Sequence, residues 1–254
     1  MMKMANILNR AIVLAMLQTM VLLSASAYDF VSGNIYYNIL SKKDNTVSVT
    51  YKDPRTNVMY VESCYKGNVV IPRTVTHKGV KYTVAEIGKK AFCFASNLKS
   101  VTIPNTVRAI RFLSFGMTGL TTINIPESVV MIEGGAFRQS GKIKTITVSS
   151  KNPYFRTEKD VLFNKQMTSL IYCAPGKLRK AYTVPSKVRK IYDAAFAGCT
   201  IYKITINSNV NEFVGDPFSS FHFQVSINKT KSSAKRSKHC GVPGWPGVCR
   251  QQTH

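Results

Sequence analysis

Histidine is the side chain best matched to general acid–base work near neutral pH, and the chain has four: His77, His222, His239 and His254. They lie in a turn-like stretch, near the end of a patterned region and in the C-terminal segment, so their order assembles no Ser-His-Asp grouping. Among the carboxylates, Glu133 directly follows Ile132 whereas Asp193 stands two residues beyond Ile191. In equivalent stretches the two are out of step, and they do not form an acid–base pair on one face. No glycine-rich phosphate loop is present. Cys240 and Cys249 bracket a Gly-Val-Pro-Gly-Trp-Pro-Gly-Val loop with His239 and His254 nearby, but the C-x-x-C spacing of a zinc site is missing. The sequence therefore predicts no enzyme, no cofactor and no metal. The one catalytic reading left is a hydrolase built on an inserted segment, and it requires carboxylates clustered in a pocket.

Charge is the second chemical resource. The formal net charge is +23, from 35 Lys and Arg against 12 Asp and Glu. Setting aside the two basic residues of the first 27 positions and the six after Ile227 leaves 27 against 12, so the patterned region is itself basic. Arg108, Arg111, Arg189 and Lys190 repeat in related stretches, joined by Lys177, Arg179 and Lys180. Such an excess favours anionic partners, sulfated glycans and other polyanions such as acidic headgroups or nucleic acid, by a salt-sensitive and non-specific attraction. It equally serves solubility, and no aromatic platform or nucleic-acid motif accompanies it.

What must position these groups is a repeat. Val107-Arg-Ala-Ile110-Arg-Phe-Leu-Ser-Phe115 returns as Val129-Val-Met-Ile132-Glu-Gly-Gly-Ala-Phe137 and as Val188-Arg-Lys-Ile191-Tyr-Asp-Ala-Ala-Phe196. Val84 to Phe92 opens the series, and Val210 to Phe218 followed by Val225-Ser-Ile227 closes it. Ile103 to Ile125 is 22 residues, Ile110 to Ile132 is 22 and Phe92 to Phe115 is 23, inside the range of leucine-rich repeats. The second half of each unit alternates: Val101-Thr-Ile103, Ile123-Asn-Ile125, Ile146-Thr-Val148 and Ile204-Thr-Ile206. Period two sends the aliphatic pair to one side of a short strand and Thr102, Asn124, Thr147 and Thr205 to the other. One such strand cannot bury its apolar side alone, so copies must stack in parallel about 4.8 Å apart over the Val, Ile and Phe of the return segment. Pro104, Pro126 and Pro185 remove a ladder donor where the chain turns and read as strand terminators. The fold predicted is a β-rich solenoid of parallel strands. Its outward residues Ser100, Thr102, Thr122, Asn124, Thr145, Thr147, Lys203 and Thr205 are the candidate binding face, being short, mostly uncharged and β-favouring.

The phrase I-P-x-x-V-x-x-I-G-x-x-A-F, best kept by Ile103 to Phe115 and by Ile87-Gly88 to Phe92, resembles the BspA-like class of leucine-rich repeats over about 69–227. The resemblance implies a bacterial surface protein that works by binding, an adhesin-like molecule recognising an extracellular or cell-surface protein. Two departures stand out: Ser114 where the family has Ala, and Pro217 before Phe218, which predicts a distorted last rung. Cys199 corresponds to a buried structural cysteine of the family. Cys93 and Cys199 are three rungs apart, beyond the roughly 7 Å reach of a disulfide, so Cys199 is expected unbridged and any bridge is expected between Cys240 and Cys249.

The ends are different in kind. Lys3 and Arg10 precede an apolar run from Ala11 to Leu23, and Ala25-Ser-Ala27 supplies a small-residue cleavage site. Residues 1–27 read as a secretory signal cleaved after Ala27, leaving no membrane span in the mature chain. Two alternating stretches, Asn34 to Ile39 and Thr46 to Tyr51, predict an N-terminal β cap over 28–68. Val69-Val-Ile-Pro72 with Thr76 to Tyr82 reads as a hairpin leading into the first rung. The array, 69–227, is interrupted at 149–183 by an inserted hairpin. Residues 228–254 hold six basic residues, no acidic one and little aliphatic pattern, which predicts a disordered tail.

Overall fold

The computed structural model describes residues 27–52, 64–175, 181–201 and 203–219, and the backbone of 224–227. Residues 1–26 of the expected signal, the 228–254 tail, Lys177, Arg179, Lys180 and the Cys240–Cys249 loop lie outside the described residues. Within them the regular elements are all strands.

Each unit contributes two strands to two parallel ladders. The first ladder carries the I-x-I strands: β4 (Gly67–Val70), β7 (Leu98–Thr102), β9 (Thr122–Ile125), β11 (Thr145–Val148), β15 (Ala181–Thr183), β17 (Lys203–Ile206) and β19 (Gln224–Ile227). The second is built from β3 (Thr46–Thr50), β6 (Val80–Ile87), β8 (Ala109–Ile110), β10 (Met131–Ile132), β14 (Ser169–Cys173), β16 (Lys190–Ile191) and β18 (Glu212–Phe213). Neither ladder is continuous. The first divides into β4–β7, β9–β11 and β15–β17–β19, and the second into β3–β6–β8–β10 and β14–β16–β18. The stacking and its interruption at the inserted segment were visible in the sequence; the break between β7 and β9 was not.

At the N-terminus β1 (Phe30–Ser32), β2 (Ile35–Ser41) and β3 run antiparallel, and β3 then pairs in parallel with β6. The cap strands thus extend the second ladder. One expectation needs correction here. Val69 to Pro72 is no hairpin arm: β4 pairs in parallel with β7 as a rung of the first ladder, Val69 opposite Val101 and Val70 opposite Thr102. The hairpin is β5 (Thr74–His77) with β6, closed by Lys78 and Gly79, both at positive φ, which a two-residue turn between twisted strands requires.

The inserted segment is three antiparallel strands, β12 (Phe155–Glu158), β13 (Val161–Asn164) and β14. It is also interior. Leu162, Ile171 and Tyr172 face the core of the N-terminal rungs, whereas Val161, Phe163, Leu170 and Cys173 face that of the C-terminal rungs. Strand alternation, shifted by a bulge at Leu162/Phe163, makes this sheet a partition between two cores. A one-faced surface hairpin would have shown polar residues at every second position, and Val161-Leu-Phe163 and Leu170-Ile-Tyr-Cys173 do not.

Aromatic rings run along the first core. Phe92, Phe115 and Phe137 stack with centroids 5.3 and 5.8 Å apart and planes within 8°. Tyr65 abuts Phe92 at 4.6 Å and Tyr172 abuts Phe137 at 5.1 Å, so two tyrosines stand in for phenylalanines where the repeat phrase is absent. In the second core Phe196 stacks on Phe218 at 5.5 Å and 6°. The bends that present these rings hold left-handed residues two positions before and two after the phenylalanine: Lys90 and Phe94, Leu113 and Met117, Gly135 and Gln139, Ala194 and Gly198. The final bend breaks this pattern. Its left-handed residue is Gly215, three before Phe218, because proline at 217 disfavours such a conformation at Asp216. The distortion expected there is confined to the backbone, and the ring stack survives it.

Candidate functional site

In the first ladder the register places side chains in columns. Asn68, Ser100, Thr122, Thr145, Ala181 and Lys203 form one outward column. Val70, Thr102, Asn124, Thr147, Thr183 and Thr205 form the other. All eight residues read from the sequence as a binding face are exposed or half-exposed. Within a sheet, neighbours bond along the stack: Ser100 Oγ to Asn68 Oδ1 at 2.8 Å, and Thr147 Oγ1 to Asn124 Oδ1 at 3.3 Å. Such bonds fix rotamers, so the face presents set positions of hydroxyl and amide groups. The ladder's divisions split it into three panels. Asn68, Val70, Ala181 and Thr183 were not picked out from sequence. Val69-Val-Ile-Pro72 and Tyr182-Thr-Val184-Pro185 keep the alternating strand and its proline, and that signal would have found Val70 and Thr183.

Two asparagines hold the turns beneath this face. Asn152 is fully buried; its amide donates to Pro126 O at 2.9 Å and Val129 O at 3.0 Å, while its Oδ1 accepts from Tyr154 N and Phe155 N, both at 2.8 Å. Asn207 repeats the device one half later, donating to Val184 O and Pro185 O at 3.1 and 2.9 Å.

The second ladder carries the charges, largely paired. Arg111 lies 2.6 Å from Glu86 and 3.0 Å from Glu133, one carboxylate from each adjacent rung. The hydrogen bond it donates to Glu86, and less that to Glu133, pushes its guanidinium further up the alkaline range. Glu133 accepts a second bond from Phe112 N at 2.7 Å. Lys190 is 2.7 Å from Glu212 and its ammonium lies over the Tyr192 ring, with its pKa raised chiefly by Glu212. Arg138 approaches Asp193 at 3.4 Å, across the boundary between the two cores. Of the four cations read as a polyanion site, two are therefore matched to carboxylates of this chain. Arg108 and Arg189 are exposed, and Arg189 bonds Ser186 O at 2.7 Å. Glu133 and Asp193, out of step in sequence, face arginines and form no acid–base pair.

Cysteine chemistry is muted. Cys93, Cys173 and Cys199 are buried thiols, and Cys64 is an exposed one. Burial pushes Cys93 up to about 11. Cys199 Sγ lies 3.4 Å from Cys173 O, while β14 and Tyr172 add a rung between Cys93 and Cys199 beyond the three counted in the sequence. Among the described residues no cluster of His, Cys, Asp and Glu is placed to hold a metal, and no helix is long and apolar enough to cross a membrane.

A parallel-strand solenoid with stacked ring columns is a leucine-rich repeat architecture. The model of the BspA type leucine-rich repeat region matches in six copies, over residues 72–177 and 172–240, and the chain belongs to that family. Among solved structures, the pneumococcal vaccine antigen PcpA is similar, with 16% identity, a TM-score of 0.52 and coverage of 80% of this chain and 71% of that one. A leucine-rich repeat protein from Eubacterium ventriosum gives 18% identity, a TM-score of 0.49 and coverage of 78% and 71%. A leucine rich cell surface protein from Faecalibacterium prausnitzii gives 17%, 0.48 and 79% and 76%. At such identities the likeness to PcpA speaks to the fold. No curated protein matched the chain.

Proposed function

We propose that the chain is a secreted or cell-surface binding protein, adhesin-like, that recognises an extracellular partner protein through the outward columns of its first ladder. The observation that supports this reading is the register: short polar side chains recur on the outer face of the rungs, braced against neighbours. A partner docking there meets groups already ordered, which lowers the entropy cost of association. Processing after Ala27 accompanies this reading, and the intact mass of the exported chain tests it.

The second reading, polyanion binding by Arg108, Arg111, Arg189 and Lys190, keeps support from Arg108 and Arg189. It loses weight where Arg111 and Lys190 face Glu86, Glu133 and Glu212. Salt separates the two. Capture of a host surface protein through the strand columns survives a rise from roughly 0.05 to 0.2 M salt and is abolished by Thr102→Arg with Asn124→Arg. Polyanion binding instead falls by orders of magnitude over that range and disappears in Arg108→Gln with Arg189→Gln. Binding indifferent to both pairs of substitutions defeats both readings.

A further inference from the structure

The end of the molecule built by the cap brings two rigid hairpin tips together. One is the β2–β3 turn, where Ser41 Oγ bonds Asp44 at 2.8 Å and Asn45 is left-handed. The other is the tight Lys78-Gly79 turn of β5–β6. His77 stacks on Phe30 with centroids 4.3 Å apart and planes at 12°, which locks the second tip to the cap. Between the tips lies an open depression of about 490 Å³ lined by Asp29, Ile39, Leu40, Lys42, His77 and Lys78. Each tip joins a cation to an aliphatic side chain that packing leaves outside: Lys42 with Leu40, which is 47% exposed, and Lys78 with Val80, which is 39% exposed. Lys43 and Lys81 add exposed positive charge. The acids at this end are engaged, Asp29 accepting from Ile39 N at 2.7 Å and Asp44 from Ser41.

We propose that these two tips dock the cap on the surface of an anionic lipid bilayer, with Leu40 and Val80 entering the headgroup boundary and Lys42 and Lys78 meeting lipid phosphates. Charge complementarity selects an anionic partner, each Lys near such a surface strengthening attachment several-fold. The aliphatic pair selects a bilayer, because a sulfated glycan engages the lysines yet gains nothing from Leu40 and Val80. The tips are short turns of paired strands, so little ordering entropy is lost on contact. This assignment rests on the export and processing proposed above, and it involves neither strand column.

The test is co-sedimentation of the processed chain, Tyr28 onward, with phosphatidylcholine vesicles and with vesicles half phosphatidylglycerol, at about 0.1 M salt. Lys42→Gln with Lys78→Gln is expected to weaken attachment to the anionic vesicles about tenfold or more. Leu40→Ser with Val80→Ser is expected to weaken it similarly while the thermal transition stays in place. The charge-matched pair Lys99→Gln with Lys144→Gln leaves it within about twofold. In a Trp245→Phe background, Val80→Trp shifts its emission to the blue on anionic vesicles only. Equal losses from the two lysine pairs overturn the proposal in favour of undirected charge. An aliphatic pair without effect, or heparin binding lost with Lys42 and Lys78 while vesicle binding persists, overturns it in favour of a glycan site. An unprocessed intact mass refutes the processing and leaves the tip comparison to be read on its own.

Discussion

The two ladders are built from the same repeat, yet they treat polar groups differently. In the first, outward positions are short and, Lys203 apart, uncharged, and their bonds run to like neighbours: Ser100 to Asn68, Thr147 to Asn124. In the second, charges on and just beyond the strands neutralise one another across rungs, Arg111 between Glu86 and Glu133, Lys190 with Glu212. Stacking at one rung per about 4.8 Å puts equivalent side chains within reach of each other, so a repeated cation would repel itself. The second ladder avoids that by alternating sign. The first avoids it by leaving charge out except at Lys203, and it is therefore the face whose polar groups are offered outward.

Both faces rest on the ring stacks, and breaking those gives the largest effect. Phe137 is 1% exposed between Phe115 and Tyr172, so Phe137→Ala should cost about 3–5 kcal/mol in a denaturant titration. Thr147→Ala on the strand face should cost well under half of that, and equal costs would show that the inward and outward columns are misassigned. Next comes the buried amide. Asn152→Asp sets an acceptor against Pro126 O and Val129 O, and with two carbonyls deprived of donors the loss should be about 2–4 kcal/mol. Asn207→Asp, half-exposed, should lose less.

Ser114 sharpens the comparison in the opposite direction. It is fully buried and its hydroxyl lacks a hydrogen-bond partner. Ser114→Ala, which restores the residue the repeat phrase carries there, should raise stability by about 1 kcal/mol, visible as a higher melting temperature. A smaller effect is expected from the paired charges. Arg111 and Glu133 are about one-third exposed at the side chain, so Arg111→Gln should cost about 1 kcal/mol or less after screening. That loss should shrink at high salt.

The alkaline limb gives the last prediction. Burial raises the pKa of the Cys93 thiol and the Tyr172 phenol, so both are held neutral in the folded state. Stability from this source is complete below the unfolded values near 9 and 10, and it is lost as pH rises through the folded ones. For Cys93 the window runs from about 9 to about 11. Denaturation midpoints should decline across it, and less steeply in Cys93→Ala. Midpoints flat from pH 9 to 11 would contradict the burial of both groups.

The solenoid was legible in the sequence because stacking needs a recurring apolar pattern, and Ile103, Ile125, Ile110, Ile132 and the phenylalanines recur visibly. The outward columns were legible for the same reason, since period two assigns faces without knowledge of neighbours. The partition at β13–β14 was not. Leu162 and Phe163 are both apolar, and only the packing of a second core on the far side tells which faces which. Nor could charge counting foresee which cations remain unmatched, because Glu86 and Glu212 stand just before the repeat's Ile or Phe position and Glu133 just after it, and they meet Arg111 and Lys190 only across rungs. Local periodicity, a property of one chain segment, was determined by sequence alone. The pairing of charges, the break between β7 and β9 and the meeting of the two hairpin tips depend on distances between segments remote along the chain, and those were decided only by the tertiary structure.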